Sequence, residues 1–350
     1  MAGRWVEGPA VADISCDIVV VGAGVLGLCV ANELAARGRD VRVVDPGRAN
    51  ASSIAAGMIA PAFETVLDGG DAERGALLRD AAALWPAFAA RFGLTLDRTP
   101  AEWRGPEAGM IHARLAALGF EATRTAGGVA APEDMRLEAG ASLQALSERL
   151  GPRRIGAGVD RLARHESGWR IDAGGTGIRA TRVIMATGVA LAVPGLPHLA
   201  SSLIATVRPI KGQIGWTADV LTDRVLRGPG GYVAPAADGT LIGATMVEGA
   251  RDLAVDPAAS DRLLAMAQVL TGHGIAPAVQ WRVGVRGGSA DGLPIAGPIG
   301  DGLHLALAPR RNGWLLGPMV ARVVADGIEG RPRDRYATAF DPLRFSPPAD

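Results

Sequence analysis

DIVVVGAGVLGLCVANELAARGRDVRVVD, residues 17–45, is the stretch that decides the fold of this chain. Ile18, Val19, Val20 and Val21 form a short β-branched run of the kind that makes a buried parallel strand. Gly22, Gly24 and Gly27 follow as G-x-G-x-x-G. In such a turn the first glycine permits the tight bend and the second lets a pyrophosphate approach the backbone. The third lets the next helix pack closely on the sheet. The spacing predicts a helix over 25–37 whose first N–H groups, at Val25 and Leu26, point at phosphates. A second strand over 41–44 ends in Asp45. An acid at that distance, about 20 residues on, accepts hydrogen bonds from a ribose 2′-OH and argues against a 2′-phosphate. A Gly-rich turn in some other βαβ unit would leave Asp45 unexplained.

The next stretch, ASSIAAGMIAP at 51–61, is rich in small residues. Taken locally, it suits the start of an Ala-rich helix with a serine as N-cap. Small side chains also let a backbone lie against a flat ring and donate N–H groups to it.

Composition bounds the rest. Of 350 residues, 48% are hydrophobic and 21% charged, enough for a large core in one or two domains. Lys+Arg and Asp+Glu are both 36, so no basic footprint for nucleic acid exists. Cys16 and Cys29 form neither a metal nor a disulfide pattern, which fits a reducing cytoplasm. The apolar run 18–31 carries three glycines and is too short to span a bilayer. Residues 1–15 are expected to be a disordered leader.

Helical spacing covers 71–92, with Leu77, Leu78, Trp85 and Phe88 buried and Pro86 dividing the segment. Residues 109–120 are ambiguous. An amphipathic helix is expected over 137–150, with Leu143, Leu146 and Leu150 on one face. Strands with a tight turn near Ser167-Gly168 follow, then a buried strand within 180–188 that rejoins the first sheet. Residues 207–245 alternate strands and turns, as in a mixed or antiparallel sheet. A helix near 258–270, a strand over 303–307, a turn at 310–313 and a helix over 314–327 complete the chain.

Over nearly its whole length this sequence resembles the D-amino-acid oxidase superfamily of FAD enzymes, and within it the glycine oxidases. The motifs that carry the resemblance are DIVVVGAGVLGL, SSIAAGMIAP, VRPIKGQIG, GYVAPAADGTLIGATM, GVRGGSADGLPIAGP and RRNGWLLGPMVARVVADGI. The resemblance implies an α/β fold: a Rossmann-like FAD-binding domain with an interleaved substrate domain on a mixed or antiparallel sheet. The discontinuous FAD domain would take 16–80, 135–200 and 290–345, and the substrate domain 81–134 and 201–289.

By the same resemblance, Ser52, Ser53, Ala56, Gly57 and Met58 run beneath the pyrophosphate and along the isoalloxazine ring. Pro46, Val159 and Gly188 join the cofactor site beside Gly22, Gly24, Val25, Leu26, Gly27 and Asp45. Arg310, Arg311, Asn312, Gly313, Trp314 and Leu315 face the flavin pyrimidine, where a helix N-terminus stabilises the charge that builds on reduction. Arg286 matches the arginine that takes the substrate carboxylate, a task suited to its planar fork. Tyr232 matches a tyrosine on the same carboxylate, and Met246 a methionine lining the pocket. Arg311 takes the place of an arginine near the substrate, with Arg310 as a rival for the same role.

Two departures touch the pocket edge. Leu307-Ala308-Pro309-Arg310 stands where Thr-Gly-His is usual, and Gly287 replaces a frequent proline. The FAD would be non-covalent, since no cysteine lies near the C-terminal end. The implied activity is oxidative deamination of glycine, sarcosine or a short D-amino acid, with O₂ as acceptor. A homo-oligomer and a role in supplying dehydroglycine for thiazole synthesis come with the resemblance. Three alternatives stay open: an FAD dehydrogenase with another acceptor, an NAD-linked dehydrogenase, and a flavin-binding protein without catalysis.

Overall fold

Strand Ile14–Val21 stands in the middle of a sheet, parallel to Val41–Val44 on one side and to Thr176–Met185 on the other. The computed structural model describes residues 13–190, 193–275 and 278–345. Outward from these three strands, Arg154–Ile155 pairs parallel with Val41–Val44, and Leu303–Leu307 parallel with Thr176–Met185. Ile295–Gly300 closes the edge antiparallel. Val159–His165 and Gly168–Ala173 form an antiparallel meander that leaves the sheet at Thr176–Met185. Ile18, Val19 and Val20 are fully buried, as a strand covered on both faces requires.

Two helices, Val25–Ala36 and Gly313–Glu329, pack together over this sheet. Cys29 is fully buried, and its sulfur faces the second of these helices: a Cβ on Gly317 would stand 2.9 Å from it. Pro318 lies inside that helix and cannot donate to Trp314 four residues back. The indole N–H of Trp85 donates to that Trp314 carbonyl at 2.9 Å and to Leu315 at 3.1 Å. A side chain more than 200 residues away thus replaces the missing helical bond.

The second sheet is mixed. Arg208–Thr217 pairs antiparallel with Gln280–Gly288 and with Gly239–Gly243, and the sheet continues through Gly231–Ala236 and Leu226–Gly228. Leu226–Gly228 runs parallel to Ala101–Arg104, which pairs antiparallel with Gly128–Ala131. Helix Pro257–Thr271 covers one face through Leu263, Met266 and Leu270. Phe63, Trp103, Ile214 and Ala234 build the core of the other face. The chain crosses between the two sheets repeatedly, which gives the interleaved α/β architecture.

Several expectations need adjustment. The first strand begins at Ile14, inside the segment expected to be a leader; residues 1–12 of that segment lie outside the described residues. A boundary at 80/81 cuts helix Ala72–Ala83, and Trp85, Phe88 and Phe92 of helix Trp85–Phe92 pack in the core of the first sheet. The ambiguous segment is a helix, Ala108–Ala117, and the expected amphipathic helix spans Ala139–Glu148. The hairpin turns at Glu166-Ser167, because Glu166 takes the left-handed conformation and Gly168 already belongs to the strand. No described helix is long and apolar enough to cross a membrane.

Candidate active site

At the C-terminal edge of the first sheet the glycine turn is held by contacts that admit no side chain. Gly22 has φ +109°, and a Cβ there would stand 2.4 Å from the Ala186 carbonyl oxygen. A Cβ on Gly27 would stand 2.0 Å from the Gly22 oxygen, so the helix can begin this close only without one. Gly24 is open apart from Ser52 Oγ, 3.4 Å from its would-be Cβ. That hydroxyl accepts the N–H of Val25 at 3.0 Å. Ser52 therefore caps the helix Val25–Ala36 across 27 residues of sequence rather than starting a helix of its own. Residues 51–55 are turn and bend, so the expected alternative of a local helix start does not form.

Ser52 also accepts, at its carbonyl, the indole N–H of Trp314 at 3.2 Å. Gly313 lies against Val25, its would-be Cβ 3.1 Å from the valine Cγ1. The N-termini of the two packed helices thus converge, with Leu26 and Leu315 buried behind them and Ser52 between. Ser53 holds the turn locally, through Asn50. Asn312, just before the second helix, is 2% exposed, and its Nδ2 has no partner. A buried donor without an acceptor, beside two positive helix ends, fits an electron-rich group between them. Asp45 accepts the N–H groups of Ala23 and Gly47, both at 2.7 Å, and Pro46 follows it. Gly188 has φ +63° and nothing within 4 Å of a would-be Cβ, so the chain leaving Thr176–Met185 keeps an open surface there. Val159 sits half-buried at the start of its strand, beyond Ile155, whose carbonyl accepts the Asp45 N–H at 3.1 Å.

The other end of the site lies on the second sheet. Arg286 pairs in register with Ile210, and Gly212 with Gly284. A Cβ on Gly212 would stand 2.2 Å from Arg286 Nη1, so the guanidinium occupies the space that glycine leaves. Tyr232 lies opposite Gly243, with its hydroxyl 2.6 Å from the would-be Cβ of that glycine. Ala51, Ile54 and Ala55 of the 51–58 turn close a cavity of about 20 Å³ against Tyr232, Gly284 and Arg286. Burial lowers the pKa of Arg286 and raises that of Tyr232, the latter against the pull of Arg286. Arg286 Nη1 donates to the Thr245 carbonyl at 3.2 Å. Among the described residues no carboxylate lies within ion-pair distance of it.

A chain of charges that the sequence reading did not single out adjoins this pair. Glu64, on helix Pro61–Leu67, receives Arg227 at 2.8 Å and Arg311 on its other oxygen. Asp68, one turn later, receives Arg310 at 2.5 Å and Arg311 at 3.0 Å. Burial raises the pKa of Glu64, but the two arginines outweigh it and hold the carboxyl below its ordinary range. Met58 Sδ lies 3.0 Å from Arg227 Nη2 and Met246 Sδ 3.8 Å from Arg311 Nη1. Arg311 is thus the inner arginine, and Arg310 points outward to Asp68 and Glu248. The turn carrying both is tied to the Arg286 strand: the Arg310 N–H donates to the Gly287 carbonyl at 2.8 Å. At Gly287 a Cβ would stand 2.8 Å from Val207 Cγ1.

Ala56 is buried and belongs to the core of the second sheet. Gly57 has φ +70°, with a would-be Cβ 2.0 Å from the Leu137 carbonyl oxygen. Asp134 accepts the N–H groups of Ala62 at 2.8 Å and Phe63 at 3.3 Å, fixing the helix that carries Glu64. The legible signal for this network was E-x-x-x-D in FETVLD, two acids one turn apart in an apolar segment.

Residues 17–327 match the DAO family model, described as FAD dependent oxidoreductase. The chain belongs to this family. It is an FAD-dependent oxidoreductase of amino-acid oxidase type, with FAD as its cofactor. Glycine oxidase of Pseudomonas aeruginosa is 30% identical over 94% of this chain and 98% of its own length. The tRNA 5-methylaminomethyl-2-thiouridine biosynthesis bifunctional protein of a Caulobacter species is also 30% identical over 94% of the chain. There the chain spans only 57% of the relative's length. The crystal structure of glycine oxidase from Geobacillus kaustophilus superposes with a TM-score of 0.78, covering 95% of this chain and all of that one at 24% identity. The converging helix ends, the glycine turn and the unpartnered Asn312 amide fit that cofactor.

Proposed function

We propose that this flavoprotein oxidises a small amino acid, glycine, sarcosine or a short D-amino acid, held by its carboxylate on Arg286 and Tyr232. The observation that carries the reading is the state of Arg286. Its guanidinium is desolvated, faces a cavity shared with the tyrosine, and among the described residues has only one backbone carbonyl as hydrogen-bond partner. A buried guanidinium without an anion is costly, and a bidentate carboxylate supplies what it lacks.

The roles of the remaining residues follow from their positions. Ser52, Gly24 and the two helix ends would hold the pyrophosphate, and Asp45 the ribose. The turn 51–58 and residues 312–315 would flank the flavin ring. Bound FAD supplies the two-electron acceptor that takes hydride from the substrate Cα. Arg286 and Tyr232 fix the carboxylate so that this Cα presents one face, and orientation of that kind is worth several kcal/mol. Ile54 and Met246 would exclude water around it. Loss of the Cα hydride and an amine proton leaves an imino acid, which water converts to the 2-oxo acid and ammonia or amine. The acceptor for reoxidation in this reading is O₂, giving H₂O₂.

Anaerobic mixing with glycine, sarcosine, D-alanine, D-proline and larger D-amino acids tests the reading. The flavin absorbance should bleach with the small members, and aerobic turnover should release one peroxide per substrate. Failure of every amino acid to bleach the flavin would leave a binding protein without catalysis, and turnover without peroxide would indicate another acceptor.

A further inference from the structure

A cleft of about 560 Å³ opens beside Arg310, on the sheet face that carries Arg286. Residues directly opposed in an antiparallel pair project to the same face. Arg286 opposes Ile210, and Gly288 opposes Arg208, so the four share a face. Ile210, Gly288 and Arg208 line the cleft. It therefore begins at the next pleat along the strand, about 7 Å beyond Arg286.

The charges in its wall are unequally partnered. Asp68 is held by Arg310 and Arg311, Asp291 by Arg344 at 2.9 Å, and Asp71 accepts the Arg74 backbone N–H at 2.9 Å. Glu248 is largely exposed and stands 4.0 Å from Arg310. The guanidinium of Arg74 is half-buried and among the described residues donates only to the Gly292 carbonyl, at 2.8 Å. Arg208 is exposed, and its guanidinium has no hydrogen bond or ion pair among the described residues. Neither guanidinium forms an ion pair among the described residues; of the acids in the wall, Asp68 and Asp291 are held by other arginines, and Asp71 and Glu248 are exposed.

We propose that this cleft is a second anion site, formed by Arg74 and Arg208, which selects an amino acid whose nitrogen bears a carboxymethyl group. One carboxylate lies on Arg286 and the other reaches along the same sheet face past Ile210. The side chain of Ile210 packs against the short secondary amine between them. The inference rests on the proposed role of Arg286 for the position of the first carboxylate.

The test uses ligands that lack an oxidisable amine, so that binding is read apart from turnover. Calorimetric titration of the flavin-loaded protein compares 2,2′-oxydiacetate with ethoxyacetate, which replaces the second carboxylate by a methyl group. The dicarboxylate should bind about tenfold more tightly, as expected for a desolvated charge pair. That preference should fall to about threefold or less in Arg208→Gln and again in Arg74→Gln. Equal affinities in the parent, or a preference kept in both variants, would overturn the site. A preference that disappears in the variants, in a protein that oxidises no amino acid, would sustain the anion site and defeat the proposed reaction. Turnover of sarcosine without any preference would do the reverse.

Discussion

Glu64 and Arg227 meet at 2.8 Å with side chains only 6% and 4% exposed, although 163 residues separate them. Arg311 occupies the other carboxylate oxygen, so a single buried acid holds two arginines from two different segments. The pair joins the helix after the 51–58 turn to the floor of the second sheet, and so sets the distance between the two halves of the site.

Replacing Glu64 with glutamine leaves the Arg227 guanidinium buried without a counter-charge among the described residues, while Arg311 keeps Asp68 at 3.0 Å. The expected loss is about 3–5 kcal/mol of stability, the range for breaking a buried pair from one side. Urea unfolding of Glu64→Gln beside the parent measures it; a midpoint unchanged within error would show the pair to be dispensable. The carboxyl lies below its ordinary value in the folded state, so its stabilisation is complete above the unfolded value of 4.5. It is lost as pH falls through the lower folded value.

Asp134 has the opposite sign. Burial pushes its pKa up to about 7, against the pull of Arg227 and of the two backbone N–H groups it accepts. A raised folded value means that the folded state binds the extra proton. Its stabilisation is therefore complete below about 4 and is lost as pH rises through about 7. The difference in unfolding free energy between the parent and Asp134→Asn should shift in favour of the variant from about pH 5 to about pH 7 and level off above it. A pH-independent difference would place the carboxyl at its ordinary value.

Gly212→Ala puts a methyl group where Arg286 Nη1 now lies. The obstructing atom is the end of a flexible side chain, so the guanidinium moves and the sheet survives. The expected result is a substrate KM raised roughly tenfold or more, with flavin content unchanged. Arg286→Ala should cost more, roughly 2–5 kcal/mol in substrate binding. Unchanged kinetics in both variants would remove Arg286 from the substrate site.

Trp85→Phe keeps the ring but removes the N–H that serves the Trp314 carbonyl. Leaving that buried acceptor empty should cost about 1–3 kcal/mol. Thermal unfolding reads the cost, and the flavin dissociation constant reports whether the start of helix Gly313–Glu329 has shifted. A melting temperature equal to the parent's would mean that another donor takes over.

Much of the first sheet was legible because its signals are local. The run Ile18–Val21, the three glycines and Asp45 lie within one βαβ unit, and their spacing alone orders strand, turn, helix and strand. The helix 108–117 was harder to read: only Ile111 and Leu115 of it are buried, too few to set a period. The segment around residue 80 was hard to read for a different reason. Helices Ala72–Ala83 and Trp85–Phe92 both face the first core, and nothing in the local pattern says which of two sheets an apolar face will meet.

At the site the division is the same. Arg286, Tyr232, Met246 and Arg311 were marked by the motifs around them, and the structure gathers all four about Glu64 and the 51–58 turn. Glu64 was marked only by a second acid one turn later, and Arg227 and Gly212 were silent, since a strand arginine and a strand glycine have many ordinary uses. The inner position of Arg311 over Arg310 was equally beyond the sequence, because both sit in one turn and only their partners distinguish them.

By itself, then, the sequence determined the opening unit: a dinucleotide turn from Gly22 to Gly27 with an acid at its second strand, followed by small residues at 51–57. These depend on backbone geometry within a few dozen residues, and spacing encodes such geometry directly. The tertiary structure decided that Ser52 would cap the helix at Val25, that Gly212 would house the Arg286 guanidinium and that Glu64 would bind Arg227 and Arg311. Each of these contacts joins residues from distant segments across a solvent-excluded space. Burial gives them their strength, and only the packing of the two sheets determines which groups are buried together.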